Sequence, residues 1–281
     1  MTELPLDGVK VVSLAVNLPG PAAARRLVSL GASVTKVEPP SGDMLGFAAA
    51  GYYDWLSDGQ TVVTLDLKGP AGRAGLDELL AEADLLLTSH RPAALERLGL
   101  GWATLQDSFP SLSQVAIVGH GGADADVPGH DLTYQAVAGT LGTPPRLPTL
   151  PVADLAGAER CVADAVALLF QASRSGRGGY REIALADVVE DMAASVRFGL
   201  SGEGAPLGGA MPTYGVYPAA QGYVAVAAIE PHFIAGLMKE LGFSDPAELT
   251  AGVLADFFAG RTAEQWTAWG RESGLPVVGL S

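Results

Sequence analysis

Val9-Lys10-Val11-Val12-Ser13-Leu14, then Gly20-Pro21 opening an Ala- and Leu-rich run to Leu30, then Val34-Thr35-Lys36-Val37-Glu38, place a strand, a helix and a strand within residues 9–38. Short β-branched runs need the pleated conformation, and an apolar stripe at helical spacing between them needs a sheet face to cover it. The pattern repeats. Further strands are expected at Thr61–Asp66, Leu85–Thr88, Gln114–Val118 and Tyr180–Ala184, with helices at Pro21–Leu30, Ala71–Ala83, Leu155–Arg174 and from Asp187. Such alternation predicts an α/β layer architecture around a largely parallel sheet. Pro39-Pro40-Ser41-Gly42 reads as a turn and residues 121–128 as a surface loop.

Composition shifts near Gly199, so the chain divides into a large domain, 1–198, and a linker with a smaller domain, 199–281. The smaller domain carries strand candidates Tyr214–Pro218 and Tyr223–Ala228. Helices follow at Pro231–Leu241, Leu254–Ala259 and Thr262–Ser273, before a last apolar run at Pro276–Leu280.

The 281 residues are 48% hydrophobic, and 31 acids against 17 bases leave a net charge of −14. That balance argues against nucleic acid and against an anionic membrane surface, both of which need clustered Lys and Arg. The single cysteine, Cys161, excludes an intrachain disulfide and reads as a small buried hydrophobe. The start, Met1 to Pro5, lacks the basic and apolar regions of a signal peptide, so a cytoplasmic chain is expected. No Gly-x-Gly-x-x-Gly follows the first strand, and P-loop, Gly-x-Ser-x-Gly and metal-ligand patterns are absent. These absences set aside nicotinamide, nucleotide-hydrolysing, hydrolase and zinc chemistries. Neither a metal nor a separate cofactor is expected.

Ionisable residues in unusual company remain. His130, in Pro128-Gly129-His130-Asp131-Leu132, stands where a turn gives way to a helical pattern. A helix N-terminus there would hold an oxyanion on its free N–H groups, that of Asp131 among them. The plainer alternative makes Asp131 the helix cap and His130 a solvated loop residue. Asp154 also precedes an apolar helix and could be its N-cap, while Glu230, before Pro231, could be a favourable first-turn charge. His90, His120 and His232 read as surface or hydrogen-bonded structural residues.

Longer strings resemble one family. Leu6-Asp7-Gly8-Val9-Lys10-Val11-Val12, Leu30 to Pro39, Leu65-Asp66-Leu67-Lys68, Arg91-Pro92, Glu96-Arg97-Leu98-Gly99-Leu100 and the turn Arg174 to Gly178 are similar to family III CoA transferases and their racemase relatives along nearly the whole chain. Gly129-His130-Asp131, with Tyr134 and Gly139, resembles the racemase branch, the α-methylacyl-CoA racemases, as does Ile229-Glu230-Pro231-His232-Phe233. The resemblance implies a Rossmann-like large domain with a mostly parallel sheet and a smaller α+β domain. It implies an acyl-CoA epimerase in which His130 and Asp154 exchange the α-proton through an enolate and Glu230 pairs with His130. It also implies Lys36, Arg91 and Tyr134 as substrate- or CoA-binding residues, CoA as part of the substrate, and a homodimer. Asp154 equally matches the acyl-anhydride nucleophile of the transferases, so transfer is the alternative, with an isomerase acting on a non-CoA metabolite as a third. Two departures stand out: Ser57-Asp58-Gly59-Gln60 lacks the cations relatives carry there, and the C-terminal segment that returns to the large domain is expected to be missing.

Overall fold

The computed structural model describes residues 4–125 and 127–280. It separates into two compact units, residues 4–141 with 147–192 and residues 142–146 with 193–280. Met1 to Glu3 of the leader reading and Asp126 of the 121–128 loop lie outside the described residues; the flanking loop positions are mostly exposed.

In the first unit the order is β1 (Lys10–Ser13), α1 (Pro19–Ser29), β2 (Ser33–Glu38), α2 (Met44–Ala48), α3 (Ala50–Ser57), β3 (Thr61–Thr64), α4 (Pro70–Ala81), β4 (Leu85–Thr88), α5 (Pro92–Arg97), α6 (Trp102–Ser108), β5 (Ser113–Val118), α7 (Asp131–Val137), α8 (Val152–Ser175), β6 (Tyr180–Ala184) and α9 (Leu185–Met192). The strands form a six-stranded sheet in the order β3-β2-β1-β4-β5-β6, and every adjacent pair is parallel. The expected α/β class is therefore the observed one.

β4 explains the layering. All of Leu85, Leu86, Leu87 and Thr88 are buried, as befits a strand covered on both faces. Leu85 and Leu87 join Leu27 of α1 and Cys161, Ala165 and Leu168 of α8 in one core, while Leu86 joins Leu76 and Leu80 of α4 and Leu105 of α6 in another. Cys161 is fully buried, as its sequence context suggested. Each such leucine contributes roughly 1.5–3 kcal/mol by leaving water.

Several boundaries differ from expectation for identifiable reasons. α1 starts at Pro19 instead of Pro21, because proline fits a first helical position, where an N–H would have no acceptor. Gly20 lets this turn sit against the strand exit, since a Cβ there would lie 2.2 Å from that of Ala15. α8 starts at Val152 instead of Leu155, because a carboxylate from α7 receives its first amides. α2, α3, α5 and α6 were not foreseen; each spans at most eight residues, too short for periodicity to stand out.

The second unit contains α10 (Ala194–Arg197), β7 (Tyr214–Pro218), β8 (Tyr223–Ala227), α11 (Pro231–Leu241), α12 (Ala251–Phe258), α13 (Ala263–Ser273) and β9 (Val277–Leu280). The strands form an antiparallel sheet with β8 in the middle. Val224, Val226, Leu237, Phe258, Trp266 and Trp269 make its core, and the Trp266 indole donates to the Phe258 carbonyl at 2.8 Å.

Candidate active site

In a parallel sheet the strand C-termini collect the loops, so a crevice forms where neighbouring connections diverge. A cavity of about 250 Å³ lies at that edge in the first unit. Val16 and Asn17 after β1, Ser89 and Arg91 after β4, and Val118 and Gly119 at the end of β5 line it. His130, Tyr134 and Asp154 complete the wall, so four residues singled out from the sequence, Arg91 included, meet in one cavity.

His130 is the exposed residue that opens α7, in extended conformation. The Thr133 hydroxyl accepts its N–H at 3.0 Å and donates to its carbonyl at 2.8 Å, which sets the turn. The alternative that Asp131 caps α7 is corrected, because Asp131 is the first helical residue and its side chain points to another helix. Asp131 Oδ1 accepts the amides of Ala153 at 2.7 Å and Asp154 at 3.2 Å, while Oδ2 accepts from the Gln135 amide at 2.7 Å.

Asp154 is not the N-cap of α8, a place held by Pro151; it is the third residue of the helix. Burial, and then the negative charge of Asp131, push its carboxyl up to about 7. Two carboxylates close together resist being ionised at once. Tyr134 is 4% exposed, and its phenol is raised by burial and then by Asp154, with Arg91 opposing. Gly129 makes room for that ring: a Cβ there would stand 2.3 Å from Tyr134 Cε1.

Lys36 requires a correction. Instead of a cation free to meet CoA, it is 1% exposed, with Nζ 2.8 Å from both Glu38 Oε1 and Asp43 Oδ2 and over the Tyr53 ring at 4.4 Å. Burial pulls its ammonium down, but the hydrogen bonds to Asp43 and Glu38 outweigh it and the net direction is up. Two carboxylates already neutralise the charge, which leaves none for a phosphate. Arg91, by contrast, is exposed and forms no ion pair among the described residues. Glu230 belongs to the second unit, where it is the exposed residue that opens α11.

Sequence reading missed Asn17, Ser89 and Lys68. Asn17 has φ 68°, a left-handed conformation that asparagine tolerates, and it lines both this cavity and a neighbouring apolar crevice of about 390 Å³. The Ser89 hydroxyl accepts the Val16 N–H at 2.9 Å and so ties the β1 loop to the β4 loop. Exposed Lys68 lines the crevice with Leu14, Val37, Leu65 and Leu67. An asparagine before a Pro-Gly-Pro helix start was the one available signal. His90, read as surface or hydrogen-bonded, is half-buried with no partner for Nδ1, and burial lowers its pKa.

The family model for CoA-transferase family III matches residues 6–280. An α-methylacyl-CoA racemase of Mus musculus is 34% identical over 292 residues, covering 93% of this chain and 74% of the relative. A cinnamoyl-CoA:phenyllactate CoA-transferase of Clostridium sporogenes is 39% identical over 151 residues, 49% of this chain and 37% of that protein. Among solved structures, a CAIB/BAIF family protein from Brucella suis superposes with a TM-score of 0.84 at 24% identity, over 100% of this chain and 85% of that one, and so shares its fold. Among the described residues no helix is long and apolar enough to cross a membrane.

Proposed function

The chain belongs to CoA-transferase family III, and from that premise we propose that it epimerises an acyl-CoA by removing and returning the proton beside the thioester carbonyl. One observation carries the reading: His130 and Asp154 line the same cavity, and Asp154 is held near pH 7. An α-proton needs a base on one side and an acid on the other to invert the centre, each able to change state near neutral pH. His130 takes one face and Asp154 the other. The first amide of α7, on Asp131, has no intrahelical acceptor and serves the enolate oxygen. A homodimer is part of the proposal, on the family resemblance alone.

The apolar crevice takes the nucleotide end of CoA, with exposed Lys68 and Arg91 available for its phosphates. Val16 and Asn17 wall both spaces, so a long thioester can lie across them.

CoA transfer with Asp154 as nucleophile is the second reading, favoured by the transferase among the relatives. Burial and Asp131 favour the protonated form of Asp154, which suits proton donation better than nucleophilic attack.

Deuterium wash-in from solvent into a 2-methylacyl-CoA tests the proposal. Wild type exchanges the α-proton without a free acid present, and His130→Ala and Asp154→Ala each lose about 10²–10⁴-fold. Exchange that persists in His130→Ala removes the imidazole from the mechanism. CoA exchange into a free acid without deuterium incorporation establishes transfer instead.

A further inference from the structure

A separate cavity of about 170 Å³ lies on the α5–α6 side of the sheet, against β5 and β6. Gln114 and His90 line it from the sheet side, with Glu96, Trp102 and Tyr180 among its other walls. The space is well above the ~10–15 Å³ one water requires.

Two of its polar atoms are buried without a hydrogen-bond partner, Gln114 Oε1 and His90 Nδ1. Gln114 is 1% exposed, its Oε1 has no hydrogen-bond partner, and its Nε2 reaches the Leu100 carbonyl only at 3.5 Å. His90 Nδ1 is also unpartnered, and burial keeps the imidazole neutral. Glu96, an exposed residue against Gly101 at the mouth, forms no ion pair among the described residues. Trp102 stacks on Tyr180 at 5.8 Å between centroids, and no Lys or Arg lines the cavity.

A carboxylate, an unpaired amide oxygen, an unpartnered imidazole nitrogen and aromatic walls together suit a positively charged donor. We propose that this cavity binds a small organic ammonium ion, with Glu96 as counter-charge, Gln114 Oε1 as hydrogen-bond acceptor and Trp102 with Tyr180 as walls. An anion would meet no cation there. The cavity adjoins the His130–Asp154 cavity at Val118 and the apolar crevice at His90, but its Glu96, Trp102, Gln114 and Tyr180 line neither, and the proposal does not rest on the epimerase reading.

Titrating the full chain with ethylammonium chloride tests this, against ethanol and potassium chloride at matched ionic strength. The reporter is the Trp102 indole N–H resonance, assigned with Trp102→Phe. Ethylammonium is expected to shift it saturably while ethanol and potassium do not. Glu96→Gln should weaken binding about two- to fivefold, the loss of a solvent-screened ion pair. Gln114→Met, which keeps the volume and removes the acceptor, should weaken it independently, so the test survives a folding defect in either variant. An equal response to ethanol, no saturable response, or wild-type binding by both variants overturns the proposal and leaves a water-filled cavity.

Discussion

The carboxylate of Asp131 accepts the backbone N–H of Asp154 at 3.2 Å, so the residue after His130 holds the first turn of the helix that carries Asp154. The same carboxylate contributes to the raised pKa of Asp154. One side chain thus sets both where Asp154 stands and how readily it carries a proton.

Asp131→Asn keeps the cap geometry but removes the charge. The pKa of Asp154 then falls toward the ordinary carboxylate range, and the corresponding limb of the pH profile for α-proton exchange moves to lower pH. Deuterium wash-in from pH 5 to 9 reads this directly, and an unmoved profile would uncouple the two carboxylates. Asp131→Ala also loses the cap on α8, worth about 0.5–2 kcal/mol.

Asp154 should cost the fold stability in alkali. The unfolded carboxyl ionises near its ordinary value of 3.8 and the folded one near 7, so between these values the native state binds more protons and stability falls as pH rises. Asp154→Asn should therefore raise stability above pH 7, by on the order of 4 kcal/mol at most, and change little near pH 4. Urea denaturation at pH 4 and pH 8 gives the comparison; an equal effect at both would reject the burial argument.

Lys36→Met leaves Glu38 and Asp43 with no cation in a buried place. A loss of about 3–5 kcal/mol is expected, since breaking a buried ion pair strands its partner's charge. Adding Glu38→Gln and Asp43→Asn should recover part of it. Near-wild-type stability of Lys36→Met would show that the cluster is hydrated.

Gly129→Ala drives a methyl group into the Tyr134 ring. Moving that ring should cost about 1–3 kcal/mol and depress exchange, because Tyr134 lines the cavity. Tyr134→Leu in the same chain should restore melting temperature but not activity. A double variant as unstable as Gly129→Ala would place the strain elsewhere.

The sequence by itself determined what depends on near neighbours. Leu85–Thr88, Tyr180–Ala184, Tyr214–Pro218 and Pro231–Leu241 have the bounds expected, because short apolar and aromatic runs, helical periodicity and Pro at a helix start act within a few residues. The string Gly129-His130-Asp131 marked a helix start for the same reason. Only the tertiary structure decided that Asp131 accepts the amide of Asp154, 23 residues further on, that Lys36 is enclosed by Glu38 and Asp43, and that Asn17, Ser89 and Arg91 share a wall with His130 and Asp154. Charge pairing, burial and long-range capping depend on which segments approach one another, and that approach is set by parallel strand order and core packing rather than by any one stretch of chain.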